Sequence, residues 1–441
     1  MKKIMYDSMI LANSVCDTYN FNETNRNGNL LVYGATGSGK TASITVPQLL
    51  NANNDSYIVS LSKREILEEM AWSMKARGYQ VCVIDLVKPE NSNIGFDPLL
   101  YVNNDEDVSA LARNIIGTPQ NTFEARDPYW DNTARSLISA EIGLLMERWA
   151  VDTEHHEPPG MLDVLDLHNK LVFREGRRGS ETWSTLDEAF EELEKVYPES
   201  YACKEWRSVR GLALKTVSCV YSTVSTAYSN IFSPNARKIL EMDMVNDFKK
   251  MGETKTAMFI LTSPSNKATH AFANLIFSKA FEELIDASEE YVGYRLPKQV
   301  HAICDDFACS AKIPEFAQYI SFMRSCGISA TILLQSLAQL ESMYGKSEAR
   351  TIVDNCDQTV FLGSSDIDTC ATVARKANVP LNKILDMKIG DAVVFRRGRA
   401  PVFTTRYQTY EDETYKDMHT AFEIEKRHRE LEQEFGKDNA I

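Results

Sequence analysis

A glycine-rich stretch near the amino terminus constrains the fold of this chain more than any other feature. It follows the apolar run LLVY, precedes a helical pattern, and consists of Gly34, Ala35, Thr36, Gly37, Ser38, Gly39, Lys40 and Thr41. Between a strand and a helix, the pattern GxxxxGK[ST] is typical of a phosphate-binding loop, whose glycines let backbone N–H groups turn inward around a phosphate. The sequence therefore predicts an α/β fold in which residues 34–41 bind a nucleotide.

Two side chains of this loop have separate predicted roles. Lys40 would reach the β- and γ-phosphates of the nucleotide, and the Thr41 hydroxyl would bind Mg²⁺. The predicted cofactors are therefore ATP and Mg²⁺. A glycine-rich turn without a nucleotide is the alternative, and the flanking strand and helix disfavour it.

A later apolar run ends in two acids. Residues 300–304 read VHAIC, and Asp305 and Asp306 follow them directly. A P-loop ATPase needs one carboxylate near the metal and a second to polarise water, so we expect Asp305 to serve Mg²⁺ and Asp306 the water. Taken alone, two such acids are more often a helix cap or a turn. The P-loop in the same chain favours the catalytic interpretation.

Two more polar residues are candidates for the site. Gln335 directly follows the apolar run 328–334. A polar side chain at this carboxyl edge of a sheet can sense the γ-phosphate. A polar residue that starts the next helix is an equal alternative. Arg324 closes the preceding helix and is a candidate arginine finger for an adjacent subunit, or it complements the helix dipole. The catalytic candidates are Lys40, Asp305, Asp306, Arg324 and Gln335.

The pattern of apolar runs divides the chain into two α/β parts with a helical part between them. Strand-like runs alternate with helical patterns over residues 29–86 and again after residue 256, which predicts one mostly parallel sheet with helices on both faces. The predicted division is into 1–117 and 241–410 as two parts of a nucleotide-binding domain, 118–240 as an inserted all-α domain, and 411–441 as a charged C-terminal helix or tail.

The charge balance restricts where nucleic acid can bind. Of the 441 residues, 48 are Lys or Arg and 62 are Asp or Glu, giving a net charge of −14, so any contact with DNA must be local. A solvated helical face explains the basic residues of the helical part as well as a polyanion contact does. These residues are Lys170, Arg174, Arg177, Arg178, Lys204, Arg207, Arg210 and Lys215.

Neither the cysteines nor the apolar runs indicate a secreted or membrane-spanning chain. The nine cysteines are scattered without a CxxC pair, which is typical of reduced core residues in a cytosolic protein. No run of about 18 apolar residues occurs in the sequence. We therefore expect a cytoplasmic protein.

In these motifs the sequence resembles the coupling proteins of type IV secretion and bacterial conjugation. The resemblance lies in NLLVYGATGSGKT (29–41), SYIVSLSKREIL (56–67), DPYWDNTARSLISAEI (127–142), KTAMFIL (255–261), the block 301–340 and NCDQTVFLGS (355–364). It implies a RecA-like P-loop NTPase domain with an inserted all-α domain. It also implies that residues 34–41 are nucleotide ligands, Asp305 the magnesium-shell acid, Arg324 the finger and Gln335 the phosphate sensor.

The resemblance further implies a function. Such a protein is an ATP-driven hexameric ring that recruits single-stranded DNA or a relaxase–DNA complex and moves it toward the channel proteins of a type IV secretion system. Family members normally begin with membrane helices, which this sequence lacks before its P-loop, so we expect a separate membrane-anchor protein to hold it at the inner face of the membrane. The family usually has Glu where this chain has Asp306, which predicts slow hydrolysis.

Two other functions stay open at this point. One is a cytoplasmic pump for duplex DNA of the chromosome-segregation type, and the other is a non-hydrolysing ATP-binding adaptor that recruits cargo through its helical part and charged tail. The helical insertion favours the coupling protein over the pump, which usually lacks it. ATPase assays with and without DNA separate the adaptor from both motors.

Overall fold

A nine-stranded sheet lies at the centre of the molecule. The computed structural model describes residues 7–117, 128–152, 157–175, 182–243, 245, 247–305, 307 and 311–438, with side chains up to residue 429. The strands in this part of the chain are β1 (Ser8–Ala12), β2 (Val15–Thr18), β3 (Leu30–Tyr33), β4 (Ser56–Leu61), β5 (Gln80–Asp85), β6 (Phe173–Glu175), β7 (Thr182–Ser184), β8 (Thr256–Leu261), β9 (Val300–Cys304), β10 (Ile328–Leu334), β11 (Gln358–Phe361), β12 (Asp391–Arg396) and β13 (Val402–Thr405).

The sheet has the order β13-β12-β11-β3-β10-β9-β4-β8-β5. The strands from β11 to β5 are all parallel, whereas β12 and β13 extend one edge in antiparallel fashion. Two short hairpins, β1–β2 and β6–β7, are separate from it. Because parallel strands end at the same edge, the loops that follow β3, β9 and β10 meet at the carboxyl edge of the sheet.

Helices connect most of these strands. A π-helical turn, Thr41–Thr45, leads from the glycine-rich loop into the first helix of the sheet. None of the described helices is long and apolar enough to cross a membrane. The helices are α1 (Phe21–Thr24), α2 (Val46–Leu50), α3 (Arg64–Ala76), α4 (Asp105–Ile116), α5 (Pro128–Ala150), α6 (Met161–Lys170), α7 (Asp187–Val196), α8 (Tyr201–Arg210), α9 (Leu214–Ile231), α10 (Pro234–Leu240), α11 (Phe248–Met251), α12 (Lys267–Glu289), α13 (Phe316–Cys326), α14 (Leu337–Asp354), α15 (Ile367–Ala377), α16 (Leu381–Leu385) and α17 (Glu413–Asp438).

Both faces of the sheet are covered. Along β3, Leu31 and Tyr33 belong to one hydrophobic cluster, whereas Leu30 and Val32 belong to the other, as the alternation of a strand requires. The second cluster includes α2, α3 and the β1–β2 hairpin, and the first includes α12–α15 and the helical part of the chain. This architecture confirms the predicted mostly parallel sheet with helices on both faces.

The helical part leaves and rejoins the sheet at one edge. It follows β5 and precedes β8, which are neighbouring strands. Within it α5 packs against α8 and α9, while α9 also packs against α12. The region is not purely helical, because β6 and β7 form a short ribbon in which Phe173 stacks on Trp206 at 6.0 Å between ring centroids. The domain boundaries at 118, 240 and 410 stay predictions.

The described part of the charged C-terminal region is helical over Glu413–Asp438 and contacts α3. The Trp72 indole of α3 donates to Glu425 of α17 at 2.6 Å, and the rings of Trp72 and Phe422 lie 5.8 Å apart. His419 Nδ1 lies 2.6 Å from a Glu69 carboxylate oxygen. Helix α17 therefore packs against α3, the helix that starts beside the glycine-rich loop.

The cysteines fit the prediction of reduced core residues. Cys203, Cys304, Cys326, Cys356 and Cys370 are buried free thiols. Cys16 and Cys219 are exposed, and the other described cysteines are buried. Cys309 lies outside the described residues.

Candidate nucleotide-binding site

The loop after β3 requires glycine at several positions. The Gly34 backbone N–H donates to Leu334 O of the neighbouring β10 at 3.0 Å, which fixes the start of the loop. A side chain at Gly34 would collide with the Ser38 hydroxyl. Gly37 and Gly39 have φ values of +80° and +86°, a region that side chains other than glycine rarely adopt. The sequence pattern thus forms a tight turn between β3 and the following helix, and phosphate binding by this turn stays a prediction.

The Lys40 ammonium lies over this loop. Its Nζ donates to Gly34 O at 2.7 Å and to Ala35 O at 3.3 Å, and the residue is 8% exposed. The side chain is therefore folded back toward the start of the loop. An ammonium held there is positioned to meet the phosphates of a nucleotide cradled by the loop N–H groups.

A hydroxyl and a carboxylate meet at the end of the loop. Thr41 Oγ1 donates to Asp305 Oδ2 at 2.5 Å, although 264 residues separate them in sequence. Both are hard oxygen ligands, and protein Mg²⁺ sites usually combine one or two carboxylates with substrate phosphates and water. Among the described residues no cluster of three or more His, Cys, Asp or Glu side chains can hold a metal. One carboxylate and one hydroxyl at the end of the loop fit a Mg²⁺ that is also bound by the phosphates of a nucleotide.

The residue before Asp305 does not compete for the metal. Burial raises the pKa of the Cys304 thiol well above its usual value, and the negative charge of Asp305 raises it further. The Cys304 side chain is 3% exposed and packs in a hydrophobic cluster, whereas Asp305 lines the cleft.

A cleft of about 400 Å³ at the carboxyl edge of the sheet is lined by Lys40, Thr41 and Asp305. Gln335 is an exposed residue at the end of β10 that lines the same cleft. Its backbone N–H donates to Gln339 Oε1 at 3.1 Å. The structure thus brings Asp305 and Gln335 together with the predicted loop residues Thr36, Gly37, Gly39, Lys40 and Thr41.

Of the two remaining catalytic candidates, Arg324 does not line this cleft. Asp306 lies outside the described residues. Arg324 is in the last turn of α13, near the amino end of β10 and thus at the opposite edge of the sheet from the P-loop. Its guanidinium lies 4.7 Å from the centre of the Phe21 ring. Arg324 therefore does not reach the nucleotide site of its own chain, and its role in an adjacent subunit stays a prediction.

The sequence did not reveal one wall of the cleft, residues 406–410, which follow β13. Arg406 Nη1 donates to Ser38 O at 2.7 Å, and the Thr409 hydroxyl donates to Ala42 O. The alternation VFTT and the polar, aromatic run RYQTY were the signals available. Neither signal connects this segment to a loop more than 360 residues earlier in the chain.

Three of the six described basic residues of the helical part are paired with acids. Arg210 Nε lies 3.2 Å from Asp187, Lys204 Nζ lies 3.0 Å from Glu199, and Arg207 pairs with Glu194. Such pairing favours the solvated helical face over a polyanion contact at these positions. Arg177 and Arg178 lie outside the described residues.

Comparison with known protein families extends over most of the chain. The family model described as type IV secretory system conjugative DNA transfer matches residues 3–377. The conjugal transfer protein TraG of Rhizobium radiobacter is 21% identical over 361 residues, which cover 78% of this chain and 51% of that protein. The chain spans about half the length of the curated relatives it matches.

Solved structures share the fold. The plasmid coupling protein TrwB in complex with the ATP analogue ADPNP has a TM-score of 0.62 and 17% identity, covering 86% of this chain and 84% of that one. TrwB in complex with ADP and Mg²⁺ has a TM-score of 0.62 and 16% identity over the same shares. The predicted RecA-like domain with an inserted helical part is thereby confirmed. Because the family model spans residues 3–377, this chain belongs to the type IV secretory system conjugative DNA transfer family.

Proposed function

We propose that this chain is a Mg²⁺-dependent ATPase that drives DNA transfer as a conjugative coupling protein. The contact between Thr41 and Asp305 carries the proposal, because it joins two distant motifs at the point where a P-loop ATPase needs its metal. The family match supports the transfer function. Structures of TrwB with ADPNP and with ADP and Mg²⁺ support the choice of cofactors.

The described residues divide the work of nucleotide binding. The loop N–H groups and Lys40 bind the phosphates, while Thr41 and Asp305 hold Mg²⁺. The metal, when bound, would neutralise charge that develops on the phosphates. Gln335 lines the cleft directly after Leu334, which accepts the Gly34 N–H, and its amide can hydrogen-bond the terminal phosphate. For two further residues we keep the sequence-based roles: Asp306 orients the attacking water, and Arg324 acts on the site of an adjacent subunit.

The proposed cargo is single-stranded DNA or a relaxase–DNA complex, moved by a hexameric ring toward the channel proteins of the secretion system. A net charge of −14 is compatible with this function. A ring needs only a few Lys or Arg per subunit facing its pore, while its outer surface stays acidic and solvated. We place the ring in the cytoplasm at the inner face of the membrane, held there by a membrane-anchor protein.

ATP hydrolysis measured with no DNA, with single-stranded DNA and with duplex DNA tests the proposal. We expect Mg²⁺-dependent turnover that single-stranded DNA stimulates, and no turnover for Lys40→Ala. Lys346→Ala is the matched control, because Lys346 is an exposed residue of α14 that does not line the cleft. Light scattering with ATP and single-stranded DNA checks ring assembly.

Two results would replace the proposal. ATP binding without turnover under all three conditions would identify a non-hydrolysing adaptor. Stimulation by duplex DNA and not by single-stranded DNA would identify a duplex pump.

A further inference from the structure

The segment after β13 reaches the P-loop because of the sheet topology. Strand β12 is antiparallel to β11, and β13 is antiparallel to β12. Strand β13 therefore runs in the same direction as β3 and ends at the same edge of the sheet. Residues 406–410 continue from that edge and line the cleft.

Arg406 lies directly against the phosphate-binding loop. Its Nη1 donates to Ser38 O at 2.7 Å, and a methyl group added to Gly39 would come within 2.6 Å of the same nitrogen. A guanidinium has five N–H donors. Within the part of the chain that the structure describes, no carboxylate pairs with Arg406. Most of its donors are therefore available to a ligand in the cleft.

The charges of the described cleft residues favour a polyanion. Lys40, Lys63 and Arg406 are cations, and Asp305 is the one acid among these lining residues. Arg forms strong, directional hydrogen bonds with phosphate oxygens, since its planar fork of donors matches their geometry. A nucleoside triphosphate supplies such oxygens beside Ser38 and Gly39.

Contacts on both sides hold the 406–410 segment in place. The Arg406 backbone N–H donates to Gly390 O at 2.8 Å, and the Thr409 hydroxyl donates to Ala42 O. Tyr407 donates its hydroxyl to Asp412, and burial together with this contact raises the pKa of Tyr407 to about 12. The segment is therefore ordered before any ligand binds. Because binding does not have to order it, no binding free energy is lost in doing so.

We propose that Arg406 binds the phosphate chain of the nucleotide, and that residues 406–410 form a wall of the nucleotide site. This inference rests on the proposed function, since it assumes that the cleft binds ATP. Arg406 would be a second cationic phosphate ligand in addition to Lys40 of the P-loop, and it comes from a distant part of the chain. The nucleotide would thus be held between the loop that follows β3 and the segment that follows β13.

Calorimetric titration with ATP and Mg²⁺ of a series of Arg406 variants tests the inference. We expect Arg406→Ala to weaken ATP binding by about 10- to 100-fold, because a hydrogen bond to a charged group is lost. Arg406→Gln can still donate to Ser38 O but has no charge, so it should bind ATP nearly as weakly as Arg406→Ala. Arg406→Lys keeps the charge and should recover part of the affinity.

The controls separate binding from folding. Arg399→Ala is the matched control, since Arg399 is exposed in the turn between β12 and β13, at the opposite edge of the sheet. Thermal unfolding without nucleotide should give similar midpoints for Arg406→Gln, Arg406→Lys and the unmodified protein. We expect ATP affinity to depend on the charge of the side chain at position 406, while the unfolding midpoints stay equal.

Two negative results have different meanings. If Arg406→Gln binds ATP as tightly as the unmodified protein, and Lys40→Ala does not bind it, Arg406 is a clamp for the P-loop backbone and the inference is overturned. If the unmodified protein fails to bind ATP with Mg²⁺, the proposed function fails, and this inference fails with it.

Discussion

The two edges of the central sheet carry similar side chains and differ in how open they are. At the carboxyl edge, Thr41, Asp305 and Gln335 line a cleft. At the amino edge of the same strands, a buried histidine joins a serine and an aspartate: His301 Nδ1 lies 2.7 Å from Ser329 Oγ, and Nε2 lies 3.0 Å from Asp55 Oδ2. Both edges contain hydroxyl and carboxylate side chains, so residue type alone does not show which edge binds a ligand.

Burial distinguishes them. His301, Ser329 and Asp55 are at most 4% exposed, and Tyr19 stacks on the His301 ring at 3.7 Å. A serine, histidine and aspartate in this order resemble a nucleophilic triad, but the Ser329 hydroxyl is sealed from any substrate. The amino edge therefore contributes to stability, and the carboxyl edge is available for chemistry.

Replacement of Asp305 should have the largest effect. Asp305→Ala removes the carboxylate next to Thr41, and we expect ATP turnover to fall on the order of 10³-fold, since electrostatic stabilisation of the metal–phosphate site is lost. The midpoint of thermal unfolding should change little, because the side chain lies at an open edge of the sheet. Normal turnover by a folded variant would show that the open edge is not the active one.

The length of the second acid should have the next largest effect. Asp306→Glu adds one methylene to the predicted water-orienting carboxylate, and a misplacement of about 1 Å can cost on the order of 10²-fold in rate. We therefore expect the turnover number to rise by up to about 10²-fold, while ATP affinity stays nearly unchanged. Steady-state kinetics measure both, and a fall in turnover would indicate that the shorter acid fits this site.

At the amino edge, a change in Asp7 should affect stability alone. Its carboxylate accepts the N–H groups of Asn53 and Asn54 and the Tyr57 hydroxyl, the last at 2.7 Å. Asp7→Asn replaces one acceptor oxygen with a donor, so buried donors lose their partner and the free energy of unfolding should fall by about 2 kcal/mol. Urea unfolding gives this value. ATP turnover at a temperature where the variant is folded serves as the control and should be normal.

The smallest effect is expected at Ser329. Ser329→Ala removes one hydrogen bond to His301 and should lower the free energy of unfolding by about 1 kcal/mol. ATP turnover should be the same as in the unmodified protein. A loss of turnover without a loss of stability would assign chemistry to the amino edge and remove the distinction between the two edges.

Local patterns predicted the parts of the site that depend on local geometry. The P-loop and the acid after β9 are recognisable because each combines a strand with a fixed loop sequence. Helix α9 is different, since its segment TVSCVYSTV is rich in β-branched residues. It is helical because Val217, Val220 and Val224 form one buried face, which shows tertiary packing overriding intrinsic preference.

Long-range pairing at the sheet edge was not predictable. Strand β13 has four residues and lies at the edge of the sheet, where it pairs with β12. Its position therefore depends on that pairing. The position of Arg406 at the P-loop follows from that pairing and from the contacts of the 406–410 segment. Sequence reasoning could not place Arg324 relative to the cleft either, because the helix direction relative to the sheet decides it.

The strand order also has a consequence for synthesis of the chain. Strand β3, which carries the P-loop, pairs with β10 and β11 and with no earlier strand. During translation it therefore has two unpaired edges until residues 328–361 have left the ribosome. Unpaired apolar strands are prone to aggregation. A chain truncated before β10 would contain the complete nucleotide motif and still be unable to form the site, so chaperone protection of this nascent segment matters most during that interval.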